Sequence, residues 1–197
     1  QPVRLDVVTR VKAERSFSCW RGQDAAKALA DDSAALDAAM DASDLIYFSG
    51  ITLAILPPKG RKALLATAQK ARAMGKIIAF DPNLRPRLWA SSAEMTDTIM
   101  QAAAVSDIVL PSFEDEADWF NDADPKATAD RYLNAGAVTV IVKNGADPVL
   151  YAEGSSYAEV PVTAVQTLVD TTAAGDSFNA GRVARQATGD ALADGIA

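Results

Sequence analysis

Short apolar runs alternate along the chain with longer stretches in which apolar residues recur at helical spacing, the pattern of strands and helices taken in turn. Val3–Val8 alternates and predicts a strand, and Arg15–Trp20 predicts a second one after a charged turn. Gln23–Ala30 and Ala34–Met40 read as helices, the latter with Ser33 as its N-cap. Leu45–Gly50 is a short apolar run ended by glycine, as in a buried strand. Lys59–Met74 is strongly helical and closed by Gly75. The apolar runs Lys76–Asp81, "DIVLPS" and Val138–Gly145 predict three more strands. Helices are expected over Ser92–Ala104, Phe113–Phe120, Pro125–Asn134 and Ala174–Gln186. "PVLYAEGSSYAEVPV" reads as a hairpin turning near Gly154-Ser155.

Strands that alternate with helices imply parallel βαβ units, hence an α/β fold with a doubly wound, mostly parallel sheet covered by helices on both faces. In such sheets ligands gather beyond the carboxyl ends of the strands. Four segments put polar residues or glycine there: "YFSG", "AFDPNLR", "VLPSFEDE" and "VKNGAD". No internal repeat is evident, and residues 1–197 read as a single α/β domain.

Composition narrows the chemistry. At 197 residues and 49% hydrophobic, the chain carries enough apolar surface for a packed core. A net charge of −7 argues against a general nucleic-acid or anionic-membrane binder, while leaving room for an anion held locally by arginines. There is no histidine and one cysteine, Cys19. A Ser-His-Asp triad, a Cys-His pair, the usual zinc sites and an internal disulfide are therefore excluded. An acid or base here is expected to be a carboxylate or a lysine. No apolar run approaches the ~20 residues of a membrane span, and no signal peptide is visible.

The stretch "DTTAAGDSF", Asp170–Phe178, stands at the start of the last predicted helix. A helix N-terminus presents unpaired N–H groups that favour an anion. Ala173, Ala174 and Gly175 leave that approach open, and Asp176 would point to the same place. A carboxylate beside an anion hole suits a base that takes a proton from a hydroxyl attacking a phosphoryl group. The plain alternative is an acid in the first turn that answers the helix dipole.

"DTTAAGDSFNAG" resembles the D-T-x-G-A-G-D signature of the ribokinase-like (PfkB) carbohydrate kinases, and the likeness extends through "ERSFSCWR", "YFSGITLAIL" and "FDPNLRPRLW". The resemblance implies the ribokinase-like fold and transfer of the ATP γ-phosphoryl group to the 6-hydroxyl of the sugar acid 2-keto-3-deoxygluconate, with Mg²⁺, in a cytoplasmic enzyme. It implies Asp176 as the catalytic base and the N–H groups of Ala174, Gly175 and Asp176 as the anion hole, with Ala173 beside the nucleotide phosphates. It puts Arg85 on the substrate carboxylate, where a guanidinium offers two parallel charge-assisted hydrogen bonds. Asn83 falls near the transferred phosphate. Arg21 is implied as a second substrate ligand, with Cys19 standing where similar kinases have a tyrosine. In "VLPSFEDE", Ser112 and Asp115 stand for the Asn and Glu of a family motif that organises Mg²⁺, so Asp115 is the candidate metal ligand. Lys143, Asn144 and Gly145 are candidates beside the nucleotide, and Gly50 for close approach of substrate. Simpler readings stand beside several of these: a turn glycine at 145, a strand-ending glycine at 50, a surface salt bridge at Arg85, an acidic helix start at Asp115. Trp89 is expected in packing and Arg87 on the surface.

The chain opens at Gln1 and stops within a helical pattern, so it reads as a segment of a longer protein. The resemblance leaves the small β lid, through which relatives dimerise, and part of the adenine pocket outside it. Two other readings remain open: another sugar kinase of the family, such as a fructokinase or ribokinase, and a non-catalytic sugar-acid or nucleotide-binding module.

Overall fold

The computed structural model describes residues 5–11, 14–20, 25–163 and 173–188. Six strands form the main sheet in simple sequence order: β3 (Leu45–Ser49), β4 (Ile77–Asp81), β5 (Ile108–Val109), β6 (Thr139–Val142), β7 (Val149–Glu153) and β8 (Ser156–Val160). The first four run parallel, with Leu45 opposite Ile77, Ala79 opposite Ile108 and Ile108 opposite Thr139. The last two return antiparallel as the expected hairpin, with Glu153 paired to Ser156 across its turn. β1 (Leu5–Val11) and β2 (Glu14–Trp20) pair antiparallel in a two-stranded sheet of their own, which the residue pattern does not separate from the main one.

Side chains alternate across the sheet. Phe48, Ile78, Phe80, Val109, Val140 and Val142 belong to the larger core. That core is shared with α1 (Ser33–Asp41), α2 (Gly50–Ile55), α3 (Pro58–Ala73), α4 (Ser92–Ala104) and α6 (Pro125–Ala135), which supply Leu36, Leu53, Leu64, Ile99 and Tyr132. α5 (Phe113–Phe120) follows β5 and packs Phe113 and Phe120 against the same cluster. On the other side Ala79, Ile108, Leu110, Ile141 and Val149 meet Phe178 and Val183 of α7 (Ala174–Thr188). Helices thus cover both faces, as the alternation of elements implies.

Local chemistry sets the helix ends. The Ser91 side chain accepts from Glu94 N at 3.1 Å and that of Asp124 from Ala127 N at 2.7 Å, each satisfying a donor that the first turn leaves free. Gly75 follows α3 with φ +86°, a left-handed conformation that glycine adopts without strain. At the far end of the sheet Arg72 ties three elements together. It donates to Asp107 Oδ1, Ala104 O and Gly136 O at 2.9, 3.0 and 3.0 Å.

Several expectations need correction. The N-cap of α1 is Asp32, whose carboxylate accepts from Ala35 N at 3.0 Å, and Ser33 is the first helical residue; a carboxylate answers the positive helix end better than a hydroxyl. In the segment expected to be helical from Gln23 to Ala30, the regular part among the described residues is a 3₁₀ helix over Ala25–Ala28, and residues 23 and 24 lie outside them. β3 stops at Ser49, and Gly50 opens α2 instead of ending the strand. The strand expected over 138–145 is confined to Thr139–Val142. Among the described residues, no helix is long and apolar enough to cross a membrane.

Candidate active site

The carboxyl ends of the parallel strands open onto a cleft of about 320 Å³ lined by Asp81, Asn83 and Arg85 after β4, Ser112, Glu114 and Asp115 after β5, Lys143 after β6, and Ala173–Asp176 at the start of α7. Its floor is built by backbone pairing. Lys143 N donates to Pro111 O at 2.9 Å and Phe113 N to Lys143 O at 2.8 Å, so the exits of β5 and β6 are held side by side.

α7 presents its N-terminus to this cleft. Ser177 N donates to Ala173 O at 2.8 Å, which makes Ala173 the residue that starts the helical ladder. The N–H groups of Ala174, Gly175 and Asp176 then belong to the first turn, where no intrahelical acceptor exists. Ala173 through Asp176 are all exposed. Lys143 Nζ lies 3.8 Å from the point where a Cβ on Gly175 would stand. That ammonium is paired with Asp81 Oδ1 at 3.4 Å, and with the positive end of the helix beside it the spot favours a further anion.

Backbone strain gathers at the same place. Outside glycine, the described residues with positive φ are Asn83 (+33°), Arg85 (+45°), Asn121 (+59°) and Ala173 (+58°), and all but Asn121 line the cleft. Such conformations cost ~1–3 kcal/mol each and persist where the surroundings enforce them, often at sites of function. Gly50 lies underneath. A Cβ there would come within 1.8 Å of Pro82 O and 2.9 Å of Ile99 Cδ1, so the absent side chain is what lets the Asp81–Arg85 loop sit down on α2.

Two carboxyl groups in the cleft are shifted. Burial pushes the Asp81 carboxyl up, opposed by the Lys143 ammonium. Burial also raises that of Asp115, opposed by the Arg85 guanidinium. Four carboxylates (Asp81, Glu114, Asp115, Asp176) and two cations (Arg85, Lys143) line the cleft. A polyphosphate therefore needs a cation of its own to settle there. Among the described residues no three metal-ligating side chains are gathered into a cage; Mg²⁺ does not require one, since it keeps waters and leans on one or two carboxylates together with substrate phosphates. Asp115 and Glu114 are two of the cleft carboxylates that could hold such an ion.

The structure thus brings together Asn83, Arg85, Asp115, Lys143 and Ala173–Asp176. Asn144 and Gly145 continue past Lys143 into a turn closed by Asp147 N donating to Asn144 O at 2.9 Å, and neither lines the cleft. Gly50 is buried beneath it. Arg21 lies outside the described residues. Trp89 is buried, with Nε1 donating to Leu84 O at 2.7 Å, and Arg87 is exposed, both as expected. The sequence reading did not single out Asp81, Glu114 or Asn179. Asp81 had a visible signal, an acid as the last residue of an otherwise apolar strand; Asn179 had only its place three residues after Asp176.

Comparison with known proteins shows the family to which this fold and cleft belong. The chain belongs to the pfkB family of carbohydrate kinases, whose family model matches residues 2–197. It is 38% identical over 193 residues to the 2-dehydro-3-deoxygluconokinase of Escherichia coli strain K12, a match that covers 95% of this chain and 62% of the relative. The chain thus spans less than two thirds of that relative's length. Among solved structures, a PfkB protein from Polaromonas sp. JS666 superposes with a TM-score of 0.83 at 27% identity, over 100% of this chain and 64% of that one. A fructokinase with bound ATP from Xylella fastidiosa gives a TM-score of 0.78 at 26% identity, over 98% of this chain and 59% of that one.

Proposed function

We propose that the protein containing this chain phosphorylates 2-keto-3-deoxygluconate, also called 2-dehydro-3-deoxygluconate, on its 6-hydroxyl at the expense of ATP. The observation that carries the reading is the meeting, in one cleft, of the exposed N-terminus of α7, Asp176 in its first turn, and Arg85 on the facing loop. Support for the substrate comes from the name borne by the 38%-identical relative.

In this reading Asp176 accepts the proton of the 6-hydroxyl as its oxygen attacks the γ-phosphorus; the new O–P bond forms as the bond to the β,γ-bridging oxygen breaks, and ADP leaves. The N–H groups of Ala174, Gly175 and Asp176 hold the charge that builds on the transferred phosphoryl oxygens, where one well-placed donor is commonly worth ~3–4 kcal/mol. Lys143 adds a cation beside them, and Asn83 faces the same group. Arg85 grips the substrate carboxylate, with Arg21 as its second ligand. Asn144 and Gly145 flank the nucleotide beyond Lys143. Gly50 serves by letting the Asp81–Arg85 loop approach. Asp115, with Glu114, would hold Mg²⁺, which when bound would neutralise charge on the phosphates.

The test is ATP turnover by the intact protein with Mg²⁺ on 2-keto-3-deoxygluconate, 2-keto-gluconate, fructose and ribose, run for the wild type and Arg85→Met. Turnover confined to the keto acids, with KM for the acid raised in the variant, supports the reading. Preference for fructose or ribose, or an Arg85→Met enzyme with unchanged KM, contradicts it.

A further inference from the structure

Asn179 lies on α7 three residues beyond Asp176, on the same side of the helix, and is 2% exposed. Its amide joins three other elements. Nδ2 donates to Asp81 Oδ2 at 2.8 Å and to Tyr47 Oη at 3.2 Å, and Oδ1 accepts from Lys143 Nζ at 3.3 Å. Lys143 Nζ also reaches Asp81 Oδ1 at 3.4 Å. The end of β4, the exit of β6 and the side of β3 are thereby tied to one turn of α7.

Every polarity in this junction is matched. The amide N–H₂ faces the carboxylate and the phenol, and the amide oxygen faces the ammonium. Asparagine supplies both a double donor and an acceptor, which aspartate and leucine do not. α7 is also held by Phe178 and Val183 against the sheet and by the buried Arg182, which lies within the electrostatic reach of Tyr151 and Glu153. Apolar contact is non-directional and fixes how close the helix lies better than how it is turned about its axis. Directional bonds from a buried carboxylate supply that second constraint.

We propose that Asp81 and Asn179, bridged by Lys143, are positioning residues that set the rotation of α7 and so aim Asp176 and the helix N-terminus at the transferred phosphoryl group. The proposal rests on the phosphotransfer reading of the cleft. Burial pushes Asp81 up against the pull of Lys143, and Tyr47 is pushed up to about 12, chiefly by burial and then by the Asp81 charge, so its phenol stays protonated and able to accept. The cost of burying Asp81 is the kind a purely apolar contact would avoid. Orientation is what the carboxylate adds.

The test uses the intact protein and four variants: Asp81→Asn, Asn179→Leu, Asn179→Asp, and the exchanged pair Asp81→Asn/Asn179→Asp. The exchanged pair keeps one amide-to-carboxylate hydrogen bond and a carboxylate beside Lys143, with the polarity reversed. A misplacement of about 1 Å can cost about 10²-fold in rate, so kcat should fall by that order in Asn179→Leu and further in Asn179→Asp, which sets two carboxylates face to face. KM for ATP and acceptor should stay within about 3-fold, the signature of a loss felt in the transition state alone. The exchanged pair should recover kcat well above Asn179→Asp. Hydrogen exchange of the amides of residues 177–182 is read in parallel without substrate, and should quicken in Asn179→Leu while β4 stays protected. Unchanged kcat and exchange, a rise in KM with kcat preserved, or an exchanged pair no better than Asn179→Asp would each overturn the proposal. A wild-type protein that turns over none of the sugars, while Asn179→Leu still loosens α7, would instead count against the proposed function.

Discussion

Replacing Glu116 by glutamine removes one proton-binding group from the contact between α5 and α6. Glu116 is fully buried. Its Oε2 accepts from Arg131 at 2.7 Å and from the Tyr132 hydroxyl at 2.9 Å, while Oε1 is buried with no partner. The guanidinium is not its own: Arg131 also binds Asp122 Oδ2 at 2.6 Å and lies over the Phe120 ring at 3.7 Å. Half a cation does not offset full burial, and the Glu116 carboxyl is pushed up to about 7 from 4.5. The folded state therefore binds a proton more tightly than the unfolded chain. This stabilisation is fully present below pH 4.5 and is lost as pH rises through about 7. Between pH 5 and pH 8 the loss amounts to roughly 2.5 kcal/mol. Glutamine cannot titrate. Urea unfolding of the intact protein at pH 5, 6, 7 and 8 should show wild type gaining that amount on Glu116→Gln as pH falls, whatever offset the variant carries at pH 8. Parallel pH profiles for the two proteins would refute the reasoning, and would mean that Arg131 holds Glu116 ionised.

Two further substitutions probe the backbone of the cleft. Gly50→Ala places a methyl group 1.8 Å from Pro82 O; forced repacking of this sort costs ~1–3 kcal/mol or more, and unfolding at the wild-type urea midpoint would contradict the close approach. Ala173→Gly relieves a left-handed alanine at φ +58°, worth ~1–2 kcal/mol before the ~0.5–1 kcal/mol entropy cost of glycine. The variant should be as stable as wild type or up to about 1.5 kcal/mol more so, and a clear loss of stability would show that the strain is absent.

Much of the fold was legible because each element carries its own signal. The apolar run Lys76–Asp81, the Pro125 start and Gly136 stop of α6, and the Gly154-Ser155 turn act locally, and local signals survive in one sequence. Gly50 misled for a physical reason. Read along the chain it resembles a strand stop, whereas its cause is the Pro82 carbonyl, which only the assembled sheet brings near. Glu116 was hidden likewise: "FEDE" reads as an acidic helix start, and which of its acids turns inward depends on how α5 is set against α6. The cleft itself could be anticipated from the strand ends and "DTTAAGD". The junction of Asp81 with Asn179 could not, because a contact between residues 98 positions apart leaves no trace in a single sequence.

The central claim is that Asp176, at the open end of α7, removes the proton from the hydroxyl that attacks the phosphoryl group. The most direct measurement is kcat of the intact protein for 2-keto-3-deoxygluconate with saturating Mg-ATP, wild type against Asp176→Asn, with ATP affinity measured on both. Loss of a general base predicts a fall of about 10²–10⁴-fold in kcat with ATP affinity retained. A variant that turns over within a few-fold of wild type would contradict the account and reduce Asp176 to an acid that answers the helix dipole.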